Sequence, residues 1–134
     1  ALRLVKASGC RTVTLLGLAF KPGTDDLRNS PYVDLAAALI ALGHALRIVD
    51  DAIDPARLTG ANRDHAAAML PDLDRHLCRD IDIALDGSEL LIVADRNQAE
   101  ARIAAIEAYR PAILDLARSD RIAALGLRYT GICW

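Results

Sequence analysis

The sequence predicts an α/β fold, a single domain with a doubly wound parallel sheet and helices on both faces. Two observations support this prediction. The chain has 134 residues, 53% of them hydrophobic, which is enough for one core without disulfides or a structural metal and too little for two. Short apolar runs that start with β-branched residues also alternate with segments that carry helix start and stop signals.

The first half of the chain is typical of a strand–helix–strand unit. The run VTLLGL (13–18) is predicted to be a strand buried on both faces. After a long turn, Ser30 and Pro31 open a helix, because Ser is a favoured N-cap and Pro lacks only an N–H that the first turn leaves unbonded. The helix is predicted to end at Gly43, and ALRIVDD (45–51) is the second strand.

The second half repeats this alternation after an irregular region, 53–80. There a short helix begins at Asp54 and Pro55, GAN (60–62) is expected to interrupt it, and Pro71 starts an extended segment. Further strands are predicted at 89–95, 112–116 and 127–132, and further helices at 80–85, 97–109 and 118–125. With a right-handed helical crossover between successive strands, the sheet is Rossmann-like, and its ligands are expected beyond the carboxyl ends of the strands.

Composition excludes several classes of function. A net charge of −2 and an aromatic content of 4% do not provide the basic, stacking surface of a nucleic-acid binder. No apolar run approaches the ~20 residues that span a bilayer. The cysteines and histidines are Cys10, Cys78, Cys133, His44, His65 and His76. Their spacing fits neither a disulfide framework nor a metal site, so we expect no metal and a reducing, cytoplasmic location.

The loop after the first strand, residues 17–30, is the candidate binding loop. It is far longer than the ~2–6 residues of an ordinary strand-to-helix connection. It contains no GxxxxGK[ST] pattern, and it lacks GxGxxG because Leu18 and Ala19 follow Gly17. The loop is therefore predicted to bind a ligand without the glycine pattern of a dinucleotide site.

Two cations of this loop, Lys21 and Arg28, are the candidate ligand contacts. Together with a helix N-terminus they can neutralise a diphosphate, Lys as a point charge and Arg as a planar fork. The alternative is that they pair with Asp25 and Asp26 and only hold the loop. Asp50, at the end of the second strand, lies where a ribose-binding acid is expected.

The motif GLAFKPGTDDLRNSP (17–31), followed by the helix and ALRIVDD, resembles the carboxyl-terminal domain of the UDP-glucose/GDP-mannose dehydrogenase family. The resemblance covers residues 11–134, and GAN together with the final TGICW (130–134) is similar to the GDP-mannose branch. Residues 1–10 are then expected to be the end of a connecting helix. Residues 11–134 are expected to be the nucleotide-sugar-binding domain.

The resemblance implies a larger enzyme. Members of the family have an amino-terminal NAD-binding domain, a central helical region that dimerises and carries a catalytic Cys, and the domain seen here. They oxidise the C6 alcohol of a nucleotide sugar to a carboxylate in two hydride transfers to NAD. No cysteine of this chain matches that Cys, so we expect this chain to have no catalytic residue and to be inactive alone. A homodimer or larger assembly through the central region is also implied.

The same resemblance assigns roles to the two cations. Lys21 is expected to contact the nucleotide sugar, and Arg28 to reach the NAD held by the other domain. Many relatives have Asp-Pro directly after the second strand, whereas this chain has Asp50-Asp51-Ala52, so the role of the two carboxylates stays open. Three alternatives remain: the UDP-sugar branch of the family, a stand-alone nucleotide-binding module, and an oligomerisation domain.

Overall fold

The computed structural model describes residues 1–132; Cys133 and Trp134, and with them the end of the TGICW motif, lie outside the described residues. One five-stranded sheet forms its centre, with all neighbouring strands parallel. The strands are β1 (Thr12–Leu16), β2 (Ala45–Val49), β3 (Leu90–Val93), β4 (Ala112–Asp115) and β5 (Tyr129–Gly131). Their order across the sheet is β2-β1-β3-β4-β5. The predicted doubly wound α/β fold is confirmed.

Helices cover both faces of this sheet. They are α1 (Leu2–Ser8), α2 (Pro31–Ala41), α3 (Gly60–Met69), α4 (Leu73–His76), α5 (Ile81–Leu85), α6 (Arg96–Glu100), α7 (Ile103–Tyr109) and α8 (Asp120–Ala123), with a 3-10 turn at Pro55–Arg57. In the described part of the chain, none of them is long and apolar enough to cross a membrane.

The core consists of one cluster on each face. Successive strand residues point to opposite faces, so Leu15 packs with α1–α4 on one face and Leu16 packs with α5–α8 on the other. Both side chains are fully buried. Burial on both faces is the reason that the strands were visible in the sequence as continuous apolar runs.

The start of α2 forms as predicted. The Ser30 hydroxyl accepts a hydrogen bond from the Tyr32 N–H at 3.3 Å and donates one to the Leu18 carbonyl at 2.6 Å. Pro31 is the first residue of the helix. The cap therefore also fastens the beginning of the loop 17–30 to its end.

The prediction that GAN (60–62) interrupts a helix is wrong. Gly60 is instead the first residue of the ten-residue α3, after the extended Thr59. The extended segment predicted after Pro71 is also interrupted, by the short α4, before Leu77 forms a parallel bridge with Ile48. Gly60 has φ +55°, a conformation that glycine adopts readily, so a residue that sequence reasoning interprets as a helix breaker stands here at a helix start.

The single helix predicted at 97–109 is two helices, α6 and α7. The break falls at Arg102, whose backbone (φ −120°, ψ 20°) leaves the helical region. One Arg102 side-chain nitrogen, Nη1, donates to the Gln98 carbonyl at 3.0 Å, and the other, Nη2, contacts Asp51. The bend occurs at the residue that contacts Asp51, beside the candidate site described below. The Ala-rich sequence of this region gives no sign of it.

Candidate functional site

The candidate site lies at the carboxyl edge of the sheet, at the ends of the neighbouring strands β1 and β3. From β1 the chain goes to β2 on one side and later to β3 on the other, so ligands are expected at this point in a doubly wound sheet. Gly17 leaves β1 here with φ +98°, and a Cβ on it would lie 2.7 Å from the Cβ of Asp95 and 2.8 Å from its backbone nitrogen. Only glycine fits, and the loop 17–30 therefore starts pressed against the end of β3.

Asp50, at the end of β2, holds the beginning of that loop. Its Oδ2 accepts hydrogen bonds from the N–H groups of Leu18 at 2.7 Å and Ala19 at 3.3 Å, and its Oδ1 accepts one from Ala52 at 3.0 Å. The residue is 8% exposed. The structure therefore gives Asp50 a use that the ribose-binding interpretation did not include: its carboxylate binds backbone N–H groups at the start of the loop.

Gln98 joins the ends of β2 and β3. Its Nε2 donates to Asp50 Oδ1 at 3.2 Å and to Asp95 Oδ2 at 3.0 Å, and its Oε1 accepts from the Asp51 N–H at 3.1 Å. Asp95 also caps α6 by accepting from the Asn97 N–H at 2.9 Å. Sequence reasoning missed both Gln98 and Asp95. An acid directly before a helix is an N-cap signal that could have identified Asp95, whereas the long-range contacts of Gln98 leave no local signal.

Asp51 has a different partner. Both of its carboxylate oxygens lie within 2.7 Å of Arg102 Nη2, and its side chain is 63% exposed while that of Arg102 is 14% exposed. A cleft of about 220 Å³ lies between this residue, the start of α6, and Pro22 and Gly23 of the loop. Ligand pockets usually measure ~300–1,000 Å³, so this cleft is smaller than a typical ligand pocket.

Arg28 is bound to Asp26 within the loop. Its Nε donates to Asp26 Oδ1 at 3.0 Å, its Nη2 to Oδ2 at 2.9 Å, and its backbone N–H to Oδ1 at 3.1 Å. The side-chain hydrogen bond from Arg28 is the main reason that the pKa of Asp26 is lowered to about 2. Both side chains remain about half exposed. The pairing alternative thus holds for Arg28, whose guanidinium is fixed in orientation but still reachable.

Lys21 is arranged in the opposite way. Among the residues that the structure describes, its ammonium has no ion pair, and in particular none with Asp25 or Asp26. Its carbonyl accepts a hydrogen bond from the Thr24 hydroxyl at 2.8 Å, and the preceding Phe20 is 64% exposed. The pairing alternative therefore fails for Lys21, which is an exposed cation available to an anionic ligand.

Asn62 of α3 also contacts the loop 17–30. The Asn62 amide accepts a hydrogen bond from the Leu27 N–H and donates one to the Asp25 carbonyl, both at 2.8 Å. Asn62 is the last residue of GAN, so the motif that we interpreted as a helix break holds the candidate binding loop. The sequence contains no sign of this contact because 35 residues separate Asn62 from Leu27.

Neither described cysteine is arranged as a nucleophile. Cys10 is buried between α1 and β1, and Cys78, before α5, directs its thiol to the Asp80 carbonyl at 3.2 Å. Within residues 1–132, no three His, Cys, Asp or Glu side chains come close enough to hold a metal ion.

Comparisons with known proteins agree with the motif. The profile of the UDP-glucose/GDP-mannose dehydrogenase family, UDP binding domain, matches residues 14–119. The GDP-mannose 6-dehydrogenase of Pseudomonas putida is 34% identical over 135 residues, which is 100% of this chain and 31% of that protein. The UDP-glucose 6-dehydrogenase of Bacillus subtilis is 35% identical over 83 residues, 62% of this chain and 17% of that protein.

A solved structure of the same family has a similar fold. A 1.55 Å crystal structure of a ternary complex of GDP-mannose dehydrogenase from Pseudomonas aeruginosa superimposes with a TM-score of 0.74 and 31% identity, covering 99% of this chain and 30% of that one. The chain thus spans about a third of the length of these relatives. These matches do not favour a stand-alone or purely oligomerising module. The chain belongs to the UDP-glucose/GDP-mannose dehydrogenase family and corresponds to its UDP binding domain.

Proposed function

We propose that this chain is the part of an NAD-dependent nucleotide-sugar 6-dehydrogenase that holds the nucleotide of the substrate. One observation carries the proposal. Lys21 is an exposed cation without an ion pair in residues 1–132, and it stands on a loop whose backbone is held on either side of it, by Asp50 and by Asn62, at the carboxyl edge of the sheet. A fixed loop that presents such a cation is suited to bind the phosphates of a nucleotide sugar.

Arg28 has a separate role in this proposal. Its hydrogen bonds to Asp26 set the direction of the guanidinium, and its exposure leaves donors available to a second anion. We assign it to the NAD that another domain of the enzyme binds. The small cleft at this edge is then one wall of a site that the other domain completes.

GDP-mannose is the proposed substrate class. The GDP-mannose 6-dehydrogenase of Pseudomonas putida matches the whole chain, whereas the UDP-glucose 6-dehydrogenase of Bacillus subtilis matches 62% of it. Isothermal titration calorimetry on the 134-residue chain tests the assignment. We expect GDP to bind more tightly than UDP, and ATP most weakly. Equal affinities for GDP and UDP contradict the GDP assignment, and no binding of either nucleotide contradicts the nucleotide-holding role.

The chain alone is proposed to catalyse nothing. NAD supplies the hydride acceptor for both oxidations, and the amides that could hold its phosphates in this loop are taken by Asp50. Incubation with NAD and GDP-mannose, with NADH absorbance as the readout, should show no turnover. Turnover lost on Cys10→Ser, Cys78→Ser or Cys133→Ser contradicts this.

The proposal also includes location and assembly. The full enzyme is proposed to be cytoplasmic and to form a homodimer or larger oligomer through a region outside this chain.

A further inference from the structure

The middle of the loop 17–30 has few connections to the rest of the fold. Leu27 is fully buried in the core, whereas its neighbours Asp26 and Arg28 are partly exposed and exposed, respectively. Apart from the two bonds to Asn62, the described hydrogen bonds of residues 21–28 stay inside the loop. Asn62 therefore supplies the hydrogen bonds that fix this backbone against α3.

The chemistry of the contact requires a carboxamide. One face of the loop offers a donor, the Leu27 N–H, and an acceptor, the Asp25 carbonyl, and Asn62 meets both at 2.8 Å. An aspartate at this position can accept but not donate, and an alanine can do neither. The two bonded groups flank Asp26, so the contact sets the direction in which Asp26 and its partner Arg28 leave the loop.

A second residue of α3 faces the same point. His65 lies three positions after Asn62, on the same side of the helix, and its electrostatic interaction is the smallest of the causes, after those from Arg28, that lower the pKa of Asp26. The face of α3 that carries Asn62 is thus directed at the segment that holds Arg28.

We propose that Asn62 is a positioning residue for nucleotide binding, acting through the loop that carries Lys21 and Arg28. This inference rests on the proposed function. Buried Leu27 keeps the loop attached to the domain, and Asn62 selects one backbone orientation on either side of it. Without Asn62 the loop has to be ordered when the ligand binds, and the cost of this ordering weakens the affinity.

The test compares Asn62→Ala with Glu89→Ala. Glu89 is a matched control because it also accepts two backbone hydrogen bonds, from Arg11 at 2.6 Å and Thr12 at 2.9 Å, but at the opposite edge of the sheet. Calorimetry with GDP should show about a tenfold loss of affinity for Asn62→Ala, the scale of two hydrogen bonds, and no change for Glu89→Ala. Asn62→Asp keeps the acceptor alone and should lie between Asn62→Ala and the wild type; it also serves if Asn62→Ala does not fold.

Amide hydrogen exchange of Leu27, measured by NMR, is the second readout. It should become faster in Asn62→Ala and stay unchanged in Glu89→Ala. Wild-type affinity for GDP in Asn62→Ala, or an equal loss in both variants, overturns the proposal. If the wild-type chain binds neither GDP nor UDP, the proposed function fails instead. The anchoring role then stands if Leu27 exchange rises in Asn62→Ala, and falls if it does not.

Discussion

The two halves of the loop after β1 present their cations differently. In residues 17–24 the hydrogen bonds from other elements to the backbone lie at its beginning, from Asp50 and Ser30, and Lys21 has no ion pair in the described part of the chain. In residues 25–30 Asn62 holds the backbone at Asp25 and Leu27, and Arg28 is hydrogen-bonded to Asp26. The same loop therefore carries Lys21, which has no ion pair among the described residues, and Arg28, whose orientation is set by its hydrogen bonds to Asp26.

This difference matches the chemistry of the two side chains. Lysine is a flexible point charge that can follow a phosphate as it moves, and a protein partner would compete with that ligand. Arginine binds through a rigid planar fork, so fixing its orientation lowers the entropy lost on binding. We infer that a short exposed loop can combine both behaviours when different side chains hold its two halves.

The largest expected effect concerns the beginning of the first half. Gly17→Ala places a Cβ 2.7 Å from Asp95 at φ +98°, and we expect a loss of about 3 kcal/mol in the free energy of unfolding. Gly23→Ala is the control, since it also has a positive φ, +75°, but nothing within 4 Å of the added Cβ. Its expected cost is about 1 kcal/mol. Urea unfolding measures both, and equal losses would contradict the close approach of the loop to β3.

The next effect distinguishes two adjacent carboxylates. Asp50→Ala leaves the buried Leu18 N–H without its partner, and a loss of about 2 kcal/mol is expected. Asp51→Ala removes an ion pair of a largely exposed side chain, for which the expected loss is below about 1 kcal/mol. Thermal melts of both variants make the comparison. An effect of Asp51→Ala as large as that of Asp50→Ala would show that the ion pair with Arg102 matters as much for stability as the hydrogen bonds of Asp50.

Sequence reasoning located the loop but not what holds it. The strands before and after it were predicted because each is a continuous apolar run, and Ser30-Pro31 marked the helix start through local chemistry. The residues that hold the loop, Asp50 and Asn62, act across 32 and 35 residues respectively. Contacts of that separation depend on the completed fold, so a local pattern does not contain them.

The predicted site residues show the same limit. Lys21 and Arg28 are both exposed in the loop, and their binding roles stay predictions; the sequence also left open whether Asp25 and Asp26 neutralise them. The structure pairs Arg28 with Asp26 and not with Asp25. Neighbours in sequence are all within reach of one another in a loop, and only the backbone conformation selects among them.

Lys21→Ala tests the unpaired cation. Because Lys21 is exposed and has no ion pair with any residue of the described range 1–132, the melting temperature should stay within about 1 °C of the wild type. The affinity for GDP should fall about tenfold, as expected for the loss of one charged contact to phosphate. Arg28→Ala is the matched variant: GDP binding should change less, because Arg28 is assigned to the cofactor. A larger loss of GDP affinity in Arg28→Ala than in Lys21→Ala would mean that Arg28 contacts the substrate nucleotide and Lys21 the cofactor.

The smallest expected effect is the titration of Asp26. Its pKa is about 2 in the folded chain against an ordinary value of 3.8, mainly because Arg28 donates a hydrogen bond to the carboxylate. A pKa lowered by folding stabilises the folded state fully above pH 3.8, and this contribution disappears as the pH falls through about 2. NMR detection of the Asp26 carboxyl carbon during an acid titration should give a midpoint near 2. In Arg28→Ala the midpoint should rise toward 3.8, since the main cause is removed. A wild-type midpoint already at 3.8 would mean that the pair does not form in solution, and the two halves of the loop would then hold their cations alike.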